Sequence, residues 1–163
     1  SDTGVAQLYG MPFVVHRKRV PFDTTTLNFN WQVWDTKAFS LYSRSTEKID
    51  KKGADMAIAA VCRFLSRMNV LNYNVYGGYE STVLIEEELV SLRSTASGLY
   101  IPHVKSFDSV ERGQVLADII DPLTGVTVAQ TEAPEDGIVF FAKDSPLVME
   151  NETLFKIVNK LHK

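Results

Sequence analysis

Thr95-Ala96-Ser97-Gly98-Leu99-Tyr100, then Ser109-Val110-Glu111-Arg112-Gly113-Gln114-Val115-Leu116, then Ala133-Pro134-Glu135-Asp136-Gly137-Ile138-Val139 follow one another in the second half of the chain, and they decide its fold. Each is a tight turn from which a strand emerges. Gly98, Gly113 and Gly137 stand where a turn needs an unhindered backbone, Pro134 fixes the chain ahead of its turn, and Val115, Leu116, Ile138 and Val139 resume the strand. Around these turns, residues 82–85, 88–93, 98–101, 114–120, 126–131, 137–142, 147–148 and 154–158 are short β-prone runs. Gly, Pro, Asp and Asn punctuate them at the short intervals of an all-β sandwich or barrel.

The first half reads differently. Residues 11–15 form a short apolar run, followed by a loop with Pro21, the basic run His16 to Arg19 and the threonines 24–26. Residues 27–34 and 37–43, rich in aromatic and β-branched side chains and separated by Asp35-Thr36, read as paired or neighbouring strands. Asp50 is the N-cap candidate for a helix over 51–69, in which Ala54, Ile58, Val61, Leu65 and Met68 recur at helical spacing. The expected organisation is an α+β chain. Residues 1–72 supply a short strand pair and one helix, 73–80 a linker of turn composition, and 81–163 an all-β module.

The chain has 163 residues, 45% of them hydrophobic and 10% aromatic, which is enough for a real core. A net charge of -3 gives no general attraction to nucleic acid or to anionic membranes, so neither is an expected partner. Cys62 is the single cysteine and has no internal disulfide partner, and no apolar run approaches the length of a bilayer span. A cytoplasmic protein is the simplest expectation.

The ordered turn grammar of the β module, V-x-x-G-x-x-L followed by A-P-x-x-G, resembles the barrel-sandwich hybrid fold of biotinyl and lipoyl carrier domains. It more closely resembles the C-terminal domain of the succinylglutamate desuccinylase/aspartoacylase family of deacylases. A carrier needs a lysine at the hairpin tip. The tip here is Asp121-Pro122-Leu123-Thr124-Gly125, and Lys105 and Lys143 lie outside it. The resemblance extends upstream, where Ala38-Phe39-Ser40-Leu41-Tyr42-Ser43, Glu47, Ile49-Asp50 and the helix look like the last strand and helix of the family's zinc carboxypeptidase-like α/β domain.

That resemblance implies hydrolysis of an amide in an N-acyl amino acid or similar small molecule by zinc-activated water. It also implies a general-base glutamate at the end of the 38–43 strand, where this chain has Tyr42. A phenol does not take up a proton as a carboxylate does. Tyr42 as a hydrogen-bond donor and Glu47 as an alternative carboxylate both remain open as catalytic candidates. The family's His-x-x-Glu zinc motif has no counterpart: His16 is followed at the third position by Arg19, His103 by Ser106, and His162 is near the end. No metal ligand is therefore expected in this chain.

The expectation that follows is the C-terminal portion of a longer zinc deacylase, inactive alone, whose missing N-terminal catalytic portion is its main partner. The alternatives are a degenerate relative, or a non-catalytic β binding or assembly module. A lone amphipathic helix over a strand pair leaves an apolar face to be covered, by the missing portion or by homo-oligomerisation.

Arg17 and Arg19 are candidate binders of a substrate carboxylate through the guanidinium fork, with a solvated basic loop as the plainer reading. Trp31 and Trp34, with Phe29 and Phe39, read as core of the strand pair rather than a ligand pocket. His103 reads as a surface or hydrogen-bonded histidine, and Cys62 as a small buried hydrophobe.

Overall fold

A computed structural model describes residues 2–18, 20–42, 49–74 and 77–159. The chain forms two compact units, Ser1–Glu87 and Glu88–Lys163.

In the first unit, helix α1 (Asp2–Gln7) leads into strand β1 (Phe13–His16), and a long crossover carries helices α2 (Leu27–Val33) and α3 (Lys51–Arg67) before strand β2 (Thr82–Ile85). The two strands pair in parallel, Phe13 opposite Thr82 through His16 opposite Ile85. A parallel pair requires such a crossover, usually helical. Tyr79 N–H donates to the Gly10 carbonyl at 2.9 Å and Thr82 N–H to the Pro12 carbonyl at 3.0 Å, starting the ladder. The run 82–85, grouped by its sequence with the β module, therefore belongs to this sheet.

The strand pair is real, but its residues are not those expected. Residues 27–33 are helical, and 37–42 carry no regular structure. Leu27, Phe29, Trp31 and Val33 alternate with Asn28, Asn30 and Gln32, a strand-like period of two. The cap overrides it. Thr26 Oγ1 accepts the Phe29 N–H at 3.3 Å, and the Asn30 amide donates to the Thr24 and Thr26 carbonyls at 3.0 and 2.8 Å. Asp35, in the left-handed region at φ 57, ends the helix. The following segment runs back beside it, with the Gln32 amide donating to the Ala38 carbonyl at 2.8 Å.

Two arginines one helical turn apart hold α1 to α3. Arg67 Nη1 donates to the Leu8 carbonyl at 2.8 Å and Arg63 Nη1 to the Tyr9 carbonyl at 2.5 Å, satisfying acceptors that a helix end leaves open. Tyr9 stacks on Phe64 of α3, centroids 4.3 Å apart, and meets Phe39 edge-on at 6.1 Å. Trp31 and Trp34, expected in a core, are 51% and 83% exposed.

The second unit is wholly β. Strands β3 (Val90–Arg93), β4 (Gly98–Pro102), β5 (Ser109–Val110), β6 (Val115–Ile120), β7 (Thr127–Glu132), β8 (Gly137–Ala142), β9 (Leu147–Val148) and β10 (Thr153–Asn159) form two antiparallel four-stranded sheets. Their orders are β3-β10-β8-β5 and β7-β6-β4-β9. Alternating inward residues, among them Tyr100, Val110, Leu116, Ile119, Val139, Leu154, Phe155 and Ile157, make one core between the sheets. The turn grammar places the strands as expected, save that the short β5 lies inside the second turn motif. Among the described residues no helix is long and apolar enough to cross a membrane.

Candidate functional site

The carboxyl ends of parallel strands are where α/β proteins place their ligand groups, and here they carry the basic run. Beyond His16 and Ile85 the register continues as two lateral ion pairs: Arg17 Nε to Glu86 at 3.5 Å, and Lys18 to Glu87 at 3.7 Å. Arg17 Nη2 also makes a close ion pair with Asp23. Asp23 is buried and accepts the Val20 N–H at 2.7 Å with its other oxygen. The 3-10 turn Pro21–Thr25 sets that carboxylate in place. Arg17 thus sits in a fixed cradle of two acids, its side chain half exposed.

Tyr42 lies at the end of the irregular segment after α2, 80% exposed, and its hydroxyl has no hydrogen-bond partner among the described residues. Glu47, Arg19 and His162 fall outside the described residues. His16 is exposed at the end of β1, and Cys62 is a half-buried free thiol. Among the described residues no three His, Cys, Asp or Glu side chains are grouped to hold a metal ion, so the donor set here does not fit a zinc centre.

In the β unit the structure assembles a polar chain that the sequence spacing hides. His103 Nε2 lies 2.8 Å from Asp118 Oδ2, and the Gln130 amide donates to Asp118 Oδ1 at 2.8 Å. Three adjacent strands supply it. Pairing of β4 with β6 sets Ile101 opposite Asp118, and pairing of β6 with β7 sets Asp118 opposite Gln130. The hydrogen bond from Gln130, then that from His103, holds the Asp118 carboxyl below its ordinary range. Strand register, which spacing along the sequence does not announce, is what brings 101, 118 and 130 together. The hairpin tip between β6 and β7 is closed by Asp121, which accepts the Leu123 N–H at 2.8 Å, and it presents Leu123 at 93% exposure. Lys143 is engaged by Glu152, away from that tip.

The fold is that of the deacylases named above. A succinylglutamate desuccinylase/aspartoacylase from Rhodobacter sphaeroides superposes with a TM-score of 0.73 at 14% identity, over 96% of this chain and 48% of that one. The ectoine utilization protein EutE (DoeB) from Ruegeria pomeroyi, in a product-bound structure, gives 0.69 at 14% identity over 97% and 48%. An aspartoacylase family protein from Mesorhizobium loti gives 0.63 at 17% identity over 99% and 48%. No family model matches the chain, and no curated protein matches it in sequence. The chain shares the fold of succinylglutamate desuccinylase/aspartoacylase proteins over nearly its whole length, and spans about half the length of the solved chains it matches.

Proposed function

We propose that this chain is the C-terminal portion of a zinc-dependent deacylase of the cytoplasm that hydrolyses N-acyl amino acids or similar small amides, and that it is inactive alone. The observation that carries the reading is the superposition of 96% of the chain on 48% of a solved deacylase-fold protein. Zinc, when bound by the remainder of the fold, supplies Lewis-acid activation of water and carbonyl.

Arg17 anchors the substrate carboxylate, and Arg19, two positions on in the sequence, is the second candidate. Asp23 and Glu86 occupy its Nη2 and Nε, and a guanidinium has five N–H donors, so its remaining edge stays available to a third carboxylate. The two acids fix the plane of the fork before substrate arrives, which lowers the ordering cost of binding. Tyr42 donates a hydrogen bond to the substrate or to the developing oxyanion, as an exposed phenol without another partner among the described residues is free to do. Where a carboxylate is needed to move a proton, Glu47 is the candidate.

The test is hydrolysis of a panel of N-acetyl and N-succinyl amino acids, by this chain and by the native protein isolated from its source. The native protein is expected to turn over at least one of them, and the chain none. Turnover by neither contradicts the reading.

A further inference from the structure

Helix α3 turns its apolar stripe away from the unit it belongs to. Ala54, Ile58, Val61 and Met68 are exposed and Leu65 is half-buried, whereas Gly53, Ala60 and Arg63 occupy the packed side. Amphipathic helices bury the apolar side. Helix α2 repeats the anomaly: Leu27 and Trp31, spaced i, i+4 on one face, are exposed, as is Trp34 at its C-terminal cap, and no residue of α2 is buried. The two helices lie in sequence between the strands of the parallel pair, in which Val15, Val83 and Ile85 are each about two-fifths exposed. Each strand has a single partner among the described residues. Parallel sheets are found with both faces covered, and two strands alone are marginal in water.

Three outward apolar surfaces on one small unit define an interface rather than a set of isolated exposed side chains. Length identifies the occupant. The solved chains of this fold are about half covered by the present chain, so as many residues again belong to the same fold and lie outside it. We propose that these surfaces dock the polypeptide carrying that other half, by strand addition at the open edge of β1–β2 and by burial of the α2 and α3 stripes. A second copy of this chain is the weaker occupant, because it brings another two-stranded pair and two more uncovered stripes. The inference rests on the deacylase reading above and adds to it the surface through which the halves meet.

The experiment is amide hydrogen exchange, compared between the 163-residue chain and the native protein isolated from its source, with intact masses recorded. Residues 13–16, 27–33 and 82–85 should exchange rapidly in the chain and slow by about 100-fold or more in the native assembly. The strands β6, β8 and β10 should be equally protected in both, which is the internal control for folding. Val83→Lys and Ile58→Glu in the native protein should remove the added protection at these segments and leave the β unit unchanged. A native protein that carries the second half and shows no added protection overturns the docking surface while leaving the deacylase reading intact. Added protection in a homodimer of this chain alone overturns the occupant. A monomer of this mass, alone, sinks both.

Discussion

The guanidinium of Arg63 lies where a side chain at Gly10 would have to go: a Cβ at Gly10 would stand 2.9 Å from both Cδ and Nη1 of that arginine. Gly10 is also in the left-handed region at φ 62. The crossing of α1 and α3 depends on this absence, because the same guanidinium holds the Tyr9 carbonyl.

Gly10→Ala is therefore expected to destabilise the first unit by about 2 to 4 kcal/mol, from left-handed backbone strain of about 1 kcal/mol and the weakened charged hydrogen bond. Helical circular dichroism reports this unit selectively, since every α-helix among the described residues lies within it. The helical signal should melt earlier in the variant, with the β unit unchanged.

Gly137→Ala should damage the other unit alone. Its Cβ would meet Ile157 Cγ2 at 2.4 Å and the Val158 carbonyl at 2.6 Å, both on the neighbouring strand β10. Backbone cannot yield as a side-chain tip does, so a loss of about 3 kcal/mol is expected in chemical denaturation of the β unit.

These two contacts mark the limit of what the sequence discloses. Strands of the β unit were legible because turn residues and inward alternation agree throughout, as at residues 133–142. Helix α2 was not, since the alternation of Leu27 to Val33 imitates a strand and the decision belongs to Thr26 and Asn30. The extent of α3 was legible, but its orientation was not. Amphipathicity marks an apolar side without saying whether this chain or another polypeptide covers it. The chain from His103 through Asp118 to Gln130 depends on strand register, which spacing along the sequence does not encode. The roles of Tyr42 and Glu47 came from the resemblance.

Acid should weaken the β unit. Gln130 and His103 hold the Asp118 carboxyl below its ordinary range, the Leu123 N–H does so for Asp121, and Lys143 with the Met149 N–H does so for Glu152. A carboxyl lowered in the folded state contributes its full stabilisation above the unfolded pKa of about 4, and loses it as pH falls through the folded value. Denaturation midpoints should be flat from neutral pH to about pH 5 and fall below about pH 4. The fall should be shallower in Asp118→Asn.

Alkali should act through Tyr100. Its hydroxyl is buried with no hydrogen-bond partner among the described residues, and burial, then the charge of Asp144, pushes the phenol up from its ordinary value. The stabilisation that follows is fully present below the unfolded phenol pKa of about 10 and is lost as pH rises past it. Tyr100→Phe should leave stability at neutral pH within about 0.5 kcal/mol, because no bond is broken, and should reduce the loss above pH 10. Urea denaturation at neutral and alkaline pH measures both.

The most direct test of the central claim is the intact mass of the native polypeptide, taken together with its zinc content. The account predicts a mass of about twice the 18.3 kDa of this chain, in one polypeptide or a tight pair, with about one zinc per assembly. A native polypeptide of 18.3 kDa that carries no zinc and has no second half would contradict it.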